Sequence, residues 1–386
     1  MNIAIDGRPI LNHLTGVGRY TSELVNALYS ENNEHSIYLY AYRGFKLFTP
    51  ITPDMDRAKL KEVLGRSSGF CAPYPFRKIN RLSAAWVANR RKRPPIHVFL
   101  WTSYMGDFSH EYKSIITIHD MAHHYFPEYT LPGYDVDLPR YLKDYAHRAD
   151  LILCVSENTK KDVVEILKVP EEKVWVTYNG VSRVFCSQRD ENKLNDLRKR
   201  YGLPDRFILF VGTIEPRKNL MKLVEACHLL YSRGQIKEPL VIVGGKGWKN
   251  ESFYELIRKL NIEDRIIFTG HVSDADLPLF YNAATVFVYP SLYEGFGMPV
   301  IEAMACGVPV VTSNVSSLPE VAGDAAILVN PEDPEAIASG IYKVMTDEEL
   351  YKNLQEKGFK QAGKFTWESC AKKTLEAINY VAGSHE

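Results

Sequence analysis

Four absences narrow this chain before any motif is read. Net charge is absent, because Lys plus Arg and Asp plus Glu number 47 each across 386 residues. No global field then favours nucleic acid or an acidic substrate, and any charged partner has to be recognised locally. Paired cysteine spacing is absent too: the six cysteines, at 71, 154, 186, 227, 306 and 370, form no CxxC. Several sit in apolar runs where they act as small hydrophobes, so the expectation is a reduced, cytoplasmic setting with structural thiols. No apolar run reaches the length of a bilayer span, and Met1-Asn2-Ile3-Ala4-Ile5-Asp6 enters a strand at once, leaving no room for a signal peptide. A soluble protein, or one peripheral at the inner face of a membrane, is expected. Finally, no fixed-period repeat or low-complexity segment occurs, which removes solenoids and arrays.

What is present is an alternation of short apolar runs with helical patterns. The chain is long enough for two domains of about 150 to 200 residues each. Ile3 to Ile5, Ile37 to Tyr42, Val98 to Trp101, Ile115 to Ile118, Leu151 to Val155 and Val174 to Thr177 read as strands, with a helix from Val17 to Ser30. Asn179-Gly180 interrupts the series, and Ser182 to Asn195 has few apolar residues in register, so the interdomain linker is placed there. A second series begins at Phe207 to Val211 and continues through Leu240 to Val243, Ile266 to Thr269, Val286 to Tyr289, Val310 to Thr312 and Ala326 to Val329. Helices fit Leu220 to Tyr231, Ser252 to Leu260, Asp276 to Ala284 and Pro334 to Met345, and the tail from Trp367 to Val381 reads as a closing helix. Alternating strands and helices imply parallel sheets. The expected fold is α/β, two doubly wound Rossmann-like domains facing across a cleft: 1–183, 184–366, and a closing helix at 367–386.

Glu294-Gly295-Phe296-Gly297-Met298-Pro299-Val300-Ile301-Glu302 carries the most chemistry. It comes after the strand ending at Tyr289, and the carboxyl edge is where open α/β sheets bind ligands. Met298 to Cys306 fits a short helix with Pro299 in its first turn and Gly307 as its stop, so free amides at the helix start suit a phosphate. Glu302 falls one turn inside, where a fixed carboxylate could accept both hydroxyls of a ribose; Glu294 lies on the loop, nearer the sugar. Two solvated carboxylates on an ordinary strand-turn-helix are the plainer reading, but Ile301, Ala303, Met304, Ala305 and Cys306 leave Glu302 little surface to face. A second phosphate element is Gly212-Thr213-Ile214-Glu215-Pro216-Arg217-Lys218-Asn219, where two cations precede a helix; a solvated helix cap is the alternative.

These blocks resemble glycosyltransferase family 4, the retaining, nucleotide-sugar-dependent enzymes of the GT-B fold, over nearly the whole chain. The likeness is strongest from Gly270-His271-Val272-Ser273 to Ala322-Gly323, through Tyr293 to Pro299, Glu302 to Val311 and Pro319-Glu320. It implies that Glu302 binds the nucleotide ribose, that Glu294, Gly295, Phe296, Gly297 and Met298 line the donor sugar and phosphates, and that Lys218 contacts the diphosphate. Many relatives carry an arginine where this chain has Thr213, so that contact is missing or supplied by Arg217. Thr15-Gly16-Val17-Gly18-Arg19-Tyr20 resembles the family's glycine loop facing the diphosphate and acceptor, placing Gly16 and Gly18 in the donor site. Glycines needed only for the chain to turn explain it equally well, and the third glycine of a dinucleotide fingerprint is lacking. His119 matches the histidine at the donor sugar.

The resemblance implies a co-substrate nucleotide sugar and neither cofactor nor metal. The spacing of His119-Asp120 with His123 and His124 fits no standard zinc pattern, and Asp135-Val136-Asp137 and Asp274-Ala275-Asp276 read as loop and helix-cap carboxylates. The subfamily style favours GDP-mannose over a UDP-sugar and a glycan or lipid-linked acceptor, in the manner of bacterial polysaccharide mannosyltransferases. A basic amphipathic stretch at 76–94, free of acids, could touch anionic lipid or simply pack on the sheet. A sugar-nucleotide-binding protein without turnover is the non-enzymatic alternative.

Overall fold

A computed structural model describes residues 1–11, 16–32, 34–42, 46–50, 95–104, 106, 108–130, 134–188 and 190–383. The basic stretch at 76–94 and Thr15 lie outside them, as do Cys71 and part of the closing segment, 384–386.

Two sheets form. The first runs in the order β3-β2-β1-β4-β5-β6-β7, with β1 Asn2–Asp6, β2 Ser36–Tyr42, β3 Lys46–Pro50, β4 Val98–Trp101, β5 Lys113–Ile118, β6 Leu151–Cys154 and β7 Val174–Val176. All its neighbours are parallel except β3, which pairs antiparallel with β2 at the edge. The second runs β10-β9-β8-β11-β12-β13, with β8 Ile208–Val211, β9 Leu240–Val243, β10 Ile266–Gly270, β11 Val286–Tyr289, β12 Val310–Ser313 and β13 Ala326–Val329, and is wholly parallel. β4, β6, β8, β9, β11 and β12 are buried along their length, as strands covered on both faces must be.

Strand order fixes where ligands can sit. In the first sheet, order reverses between β1 and β4; in the second, between β8 and β11. The crevice outside the carboxyl ends of such a pair is open because successive crossovers leave it in opposite directions. Gly212 to Asn219 lies just after β8 and Pro290 to Gly297 just after β11, so both phosphate elements of the sequence flank one crevice.

The molecule holds more elements than the sequence pattern predicts. The linker is shorter than Ser182 to Asn195, because a helix, Glu191–Tyr201, begins inside it with Asp190 accepting from the Lys193 amide. Helices Tyr134–Arg148, Glu157–Leu167, Leu318–Ala322 and Glu348–Ala362, and the edge strand β3, are likewise additions. The tail helix, Trp367–Gly383, does close back: it packs along helix Gly16–Glu31 of the first lobe, with the Trp367 and Tyr20 rings 5.8 Å apart. Where the chain crosses outward and returns, Val181 donates to the Phe365 carbonyl at 3.0 Å.

Candidate active site

The loop after β11 is held by its backbone. Ser317 Oγ donates to the Glu294 carbonyl at 2.8 Å, and the Glu294 amide donates to Ser316 Oγ at 3.0 Å. Gly297, at φ 95, occupies the left-handed region that L side chains avoid, and a Cβ there would lie 2.7 Å from Leu318 Cδ2. It opens helix Met298–Ala305, whose Val300, Ile301, Ala303 and Met304 are buried, the two β-branched side chains contributing about 1.5–3 kcal/mol each. That burial turns Glu302 inward: it is 4% exposed.

Glu294, Arg217 and Lys218 meet. Lys218 Nζ lies 2.7 Å and Arg217 Nη1 3.1 Å from Glu294 Oε1. Arg217 also pairs with Glu215 at 2.7 Å and donates to the Tyr293 carbonyl at 2.6 Å, while Lys218 donates to the Tyr289 hydroxyl at 2.6 Å. Burial by itself would raise the Glu294 carboxyl; the Arg217 guanidinium and Lys218 ammonium outweigh it and hold Glu294 at about 2. Lys218 is lowered, first by burial and then by the like charge of Arg217. Arg217 is raised, because Glu294 and Glu215 more than offset its burial. Thr213 is exposed, and no arginine stands in its place. Asn219 is left-handed at φ 59 and bridges the loops, donating to the carbonyls of Pro290 and Pro331 at 3.0 and 2.7 Å, before helix Leu220–Ser232 starts.

Glu302 stands apart from that cluster with its own partners. Tyr281 donates to its Oε2 at 2.9 Å, and Arg19, from the first lobe, reaches its Oε1 at 3.3 Å while its other nitrogen sits 3.1 Å from Asp274. Burial raises the Glu302 carboxyl despite Arg19 and Tyr281. Sequence reasoning missed Arg19, Tyr281 and Asp274 as partners of this carboxylate. Asp274 was read as a loop or cap group; the arginine one turn after the Gly16-Val17-Gly18 helix start was the available signal. Asp276 occupies the N-cap position of helix Leu277–Ala283, but its carboxylate is taken by Arg200 at 2.7 and 3.0 Å.

The first lobe brings His119 and the glycine helix to the same cleft. His119 lies just after β5, and its Nε2 is 2.8 Å from the Thr102 carbonyl, so Nε2 carries the proton and Nδ1 is the acceptor nitrogen. Desolvation lowers its pKa, and its ring stands edge-on to Tyr20 at 4.7 Å. The imidazole is neutral at pH 7. Gly295 presses on the same segment: a Cβ there would lie 1.7 Å from the His119 carbonyl oxygen. Gly16 opens helix Gly16–Glu31 with an ideal Cβ 3.7 Å from Met298 Cε, so the starts of the two helices face each other; Gly18 is buried in the first turn. Gly212 ties the loop after β8 to β9 through the Val243 carbonyl at 2.9 Å. Phe296 points its side chain inward: it is 4% exposed and edge-on to Phe365 at 5.4 Å, so its backbone is what it can offer a ligand. Among the described residues, no group of three or more His, Cys, Asp or Glu is placed to hold a metal ion, so His119, His123 and His124 do not assemble one.

Comparison with known proteins decides the family. A profile described as Glycosyltransferase Family 4 matches residues 14–184, and one described as Glycosyl transferases group 1 matches residues 195–361. Over 390 residues, covering 99% of this chain and 100% of the relative, the sequence is 32% identical to the O-antigen chain mannosyltransferase B of Escherichia coli. The chain belongs to glycosyltransferase family 4. It is a glycosyltransferase of the GT-B fold. The Escherichia coli serotype-specific mannosyltransferase WbdA is 34% identical over 242 residues, which span 62% of this chain and 30% of that longer protein. HepE of Anabaena, solved in complex with UDP-glucose, superposes with a TM-score of 0.75 at 17% identity over 98% of this chain and 100% of that one, a likeness of fold. No helix among the described residues of this family 4 chain is long and apolar enough to cross a membrane.

Proposed function

We propose that this chain transfers mannose from GDP-mannose, with retention of anomeric configuration and without a metal, to a hydroxyl of a glycan or lipid-linked acceptor in bacterial polysaccharide assembly. The observation that carries the reading is the placement of Lys218, Arg217 and Glu294 at the β8/β11 crevice, opposite His119, with Glu302 one helical turn beyond. Ribose hydroxyls would satisfy the buried Glu302 carboxylate, and the diphosphate would lie at the start of helix Met298–Ala305 beside Lys218 and Arg217. As the bond from the anomeric carbon to the phosphate oxygen breaks, charge grows on that oxygen. Fixed amides and Lys218 stabilise it more in the transition state than in the ground state. The acceptor oxygen bonds to the same face, and its proton passes to the departing phosphate. Nδ1 of His119 accepts from a donor-sugar hydroxyl.

Mannose rests on full-length similarity to a mannosyltransferase. A UDP-sugar is the second reading, favoured by the fold likeness to a UDP-glucose-binding neighbour. A thermal-shift panel of GDP-, UDP-, ADP- and dTDP-sugars separates them: selective stabilisation by GDP-mannose is expected, and stabilisation by UDP-sugars alone would move the donor. Proton NMR of the product with a lipid-linked acceptor should show the donor's anomeric configuration. Inversion, a trapped glycosyl-enzyme, or turnover lost with EDTA and restored by a divalent ion would each overturn a part of the proposal.

A further inference from the structure

One hydroxyl touches the segments that carry both halves of the site. Tyr293 immediately precedes Glu294, and its ring is 5% exposed. Its hydroxyl donates to Asp162 Oδ2 at 2.5 Å, across to helix Glu157–Leu167 of the first lobe, and accepts from the Met121 amide at 3.4 Å, two residues beyond His119. Its carbonyl accepts from Arg217 at 2.6 Å. Asp162, itself 5% exposed, is completed by Tyr125 at 2.7 Å and Asn158 at 3.1 Å, so it is a buried, fully engaged acceptor. The contacts continue along the same helix start: Ser156 Oγ and Thr159 Oγ1 donate to the Gly295 carbonyl at 2.6 and 3.2 Å, and Glu320 of the second lobe accepts from the Glu157 and Asn158 amides at 2.8 and 3.3 Å.

We infer that Asp162 and Tyr293 are positioning residues for glycosyl transfer, a cross-lobe pair that sets the Glu294 loop against His119 once the cleft is closed. The inference rests on the transfer reading and adds two residues to it. Packing the lobes together needs only apolar burial; a buried carboxylate that accepts from Tyr125 of its own lobe and from Tyr293 of the other adds direction, since a charge-assisted bond is short and fails when misaligned. The Tyr293 hydroxyl and the Asp162 carboxylate bond each other, the Met121 amide, Tyr125 and Asn158 rather than Lys218, Arg217 or Glu302, so donor binding and transfer are expected to respond differently to their loss. Misplacement by about 1 Å between the two lobes costs up to about 100-fold in turnover.

The test uses the full chain with Tyr293→Phe, Asp162→Asn and the double substitution. Tyr293→Phe removes one oxygen and keeps the ring, so its thermal midpoint monitors folding. Expected is a kcat at least about tenfold lower with the donor KM within about twofold, and a double variant no worse than the lower single, because the pair acts as one unit. An unchanged kcat, a parallel loss of kcat and donor affinity, or additive effects would overturn the pairing. Small-angle scattering of ligand-free protein supplies a second reading independent of the donor: the Tyr293→Phe radius of gyration should exceed that of the wild type, and equal radii would count against the pair. Should the wild type turn over no sugar nucleotide, the transfer reading falls and the scattering result alone decides the cross-lobe role.

Discussion

At the residue scale, Glu302 exposes the tension between stability and binding. Its burial was legible, since five small or apolar neighbours left it no solvent face. Its partner was not: Arg19 arrives from 283 residues away, and no local pattern carries such a pairing. The folded protein holds this carboxyl above its ordinary range, burial winning over Arg19 and Tyr281. A raised carboxyl binds its proton more tightly when folded, so its charge costs stability, and the cost grows as pH rises through the folded value. Glu302→Gln is therefore expected to raise the thermal midpoint at pH 7. The advantage should vanish below about pH 4, where the unfolded carboxyl also protonates. Donor affinity should fall at least about tenfold, because an amide accepts less strongly from two hydroxyls than a carboxylate does. Calorimetric unfolding across pH, paired with nucleotide titration, checks both; a lower midpoint at pH 7 would contradict the sign.

At the element scale, the positions of the two candidate loops after β8 and β11 were readable because their strands were. Parallel strands buried on both faces are unbroken apolar runs, and the segment after each one is a loop at a carboxyl edge. Helices Tyr134–Arg148 and Glu191–Tyr201 were hidden for the converse reason. The first contains Pro139, which argues against a helix interior, and the second buries only Leu194 and Leu197, too few for a broad apolar stripe. Why glycine stands at 295 was equally beyond local reading, for its backbone abuts His119 of the other lobe. Gly295→Ala must push that segment or its own loop away, whereas Gly16→Ala would add a methyl in ordinary contact with Met298. The first is expected to cost about 1–3 kcal/mol in stability, as overpacking does, and at least about tenfold in kcat. The second should leave the midpoint within about 1 °C, within the range of substitutions that create no clash. Circular dichroism melts and initial rates on the two variants give the comparison; equal behaviour would mean that the lobes do not meet at Gly295.

At the scale of the whole molecule, the chain crosses between lobes twice, and the second crossing is structural. Helix Trp367–Gly383 buries Trp367, Ile378 and Val381 with four smaller residues, largely against helix Gly16–Glu31, whose Tyr20, Leu24 and Leu28 form part of the first lobe's core. Lys372 pairs with Glu31 at 3.4 Å and His35 with Asn379 at 3.0 Å, but exposed contacts of that kind contribute little beside the apolar area. Three large side chains at about 1.5–3 kcal/mol each amount to about 5–9 kcal/mol, an upper figure comparable with the whole stability of many domains. Ending the chain after Lys364 should therefore abolish folding of the first lobe, while the second, whose sheet and covering helices lie between residues 191 and 362, keeps its own transition. Differential scanning calorimetry of the intact chain should show one dominant transition. In the shortened chain a weaker transition should remain, with tryptophan fluorescence from Trp101 and Trp175 already that of an unfolded protein. If the first lobe still melts cooperatively without the tail, that lobe folds on its own and the tail is only a tether. The same experiment bears on catalysis, since a helix that leaves one lobe to complete the core of the other limits how far the cleft can open.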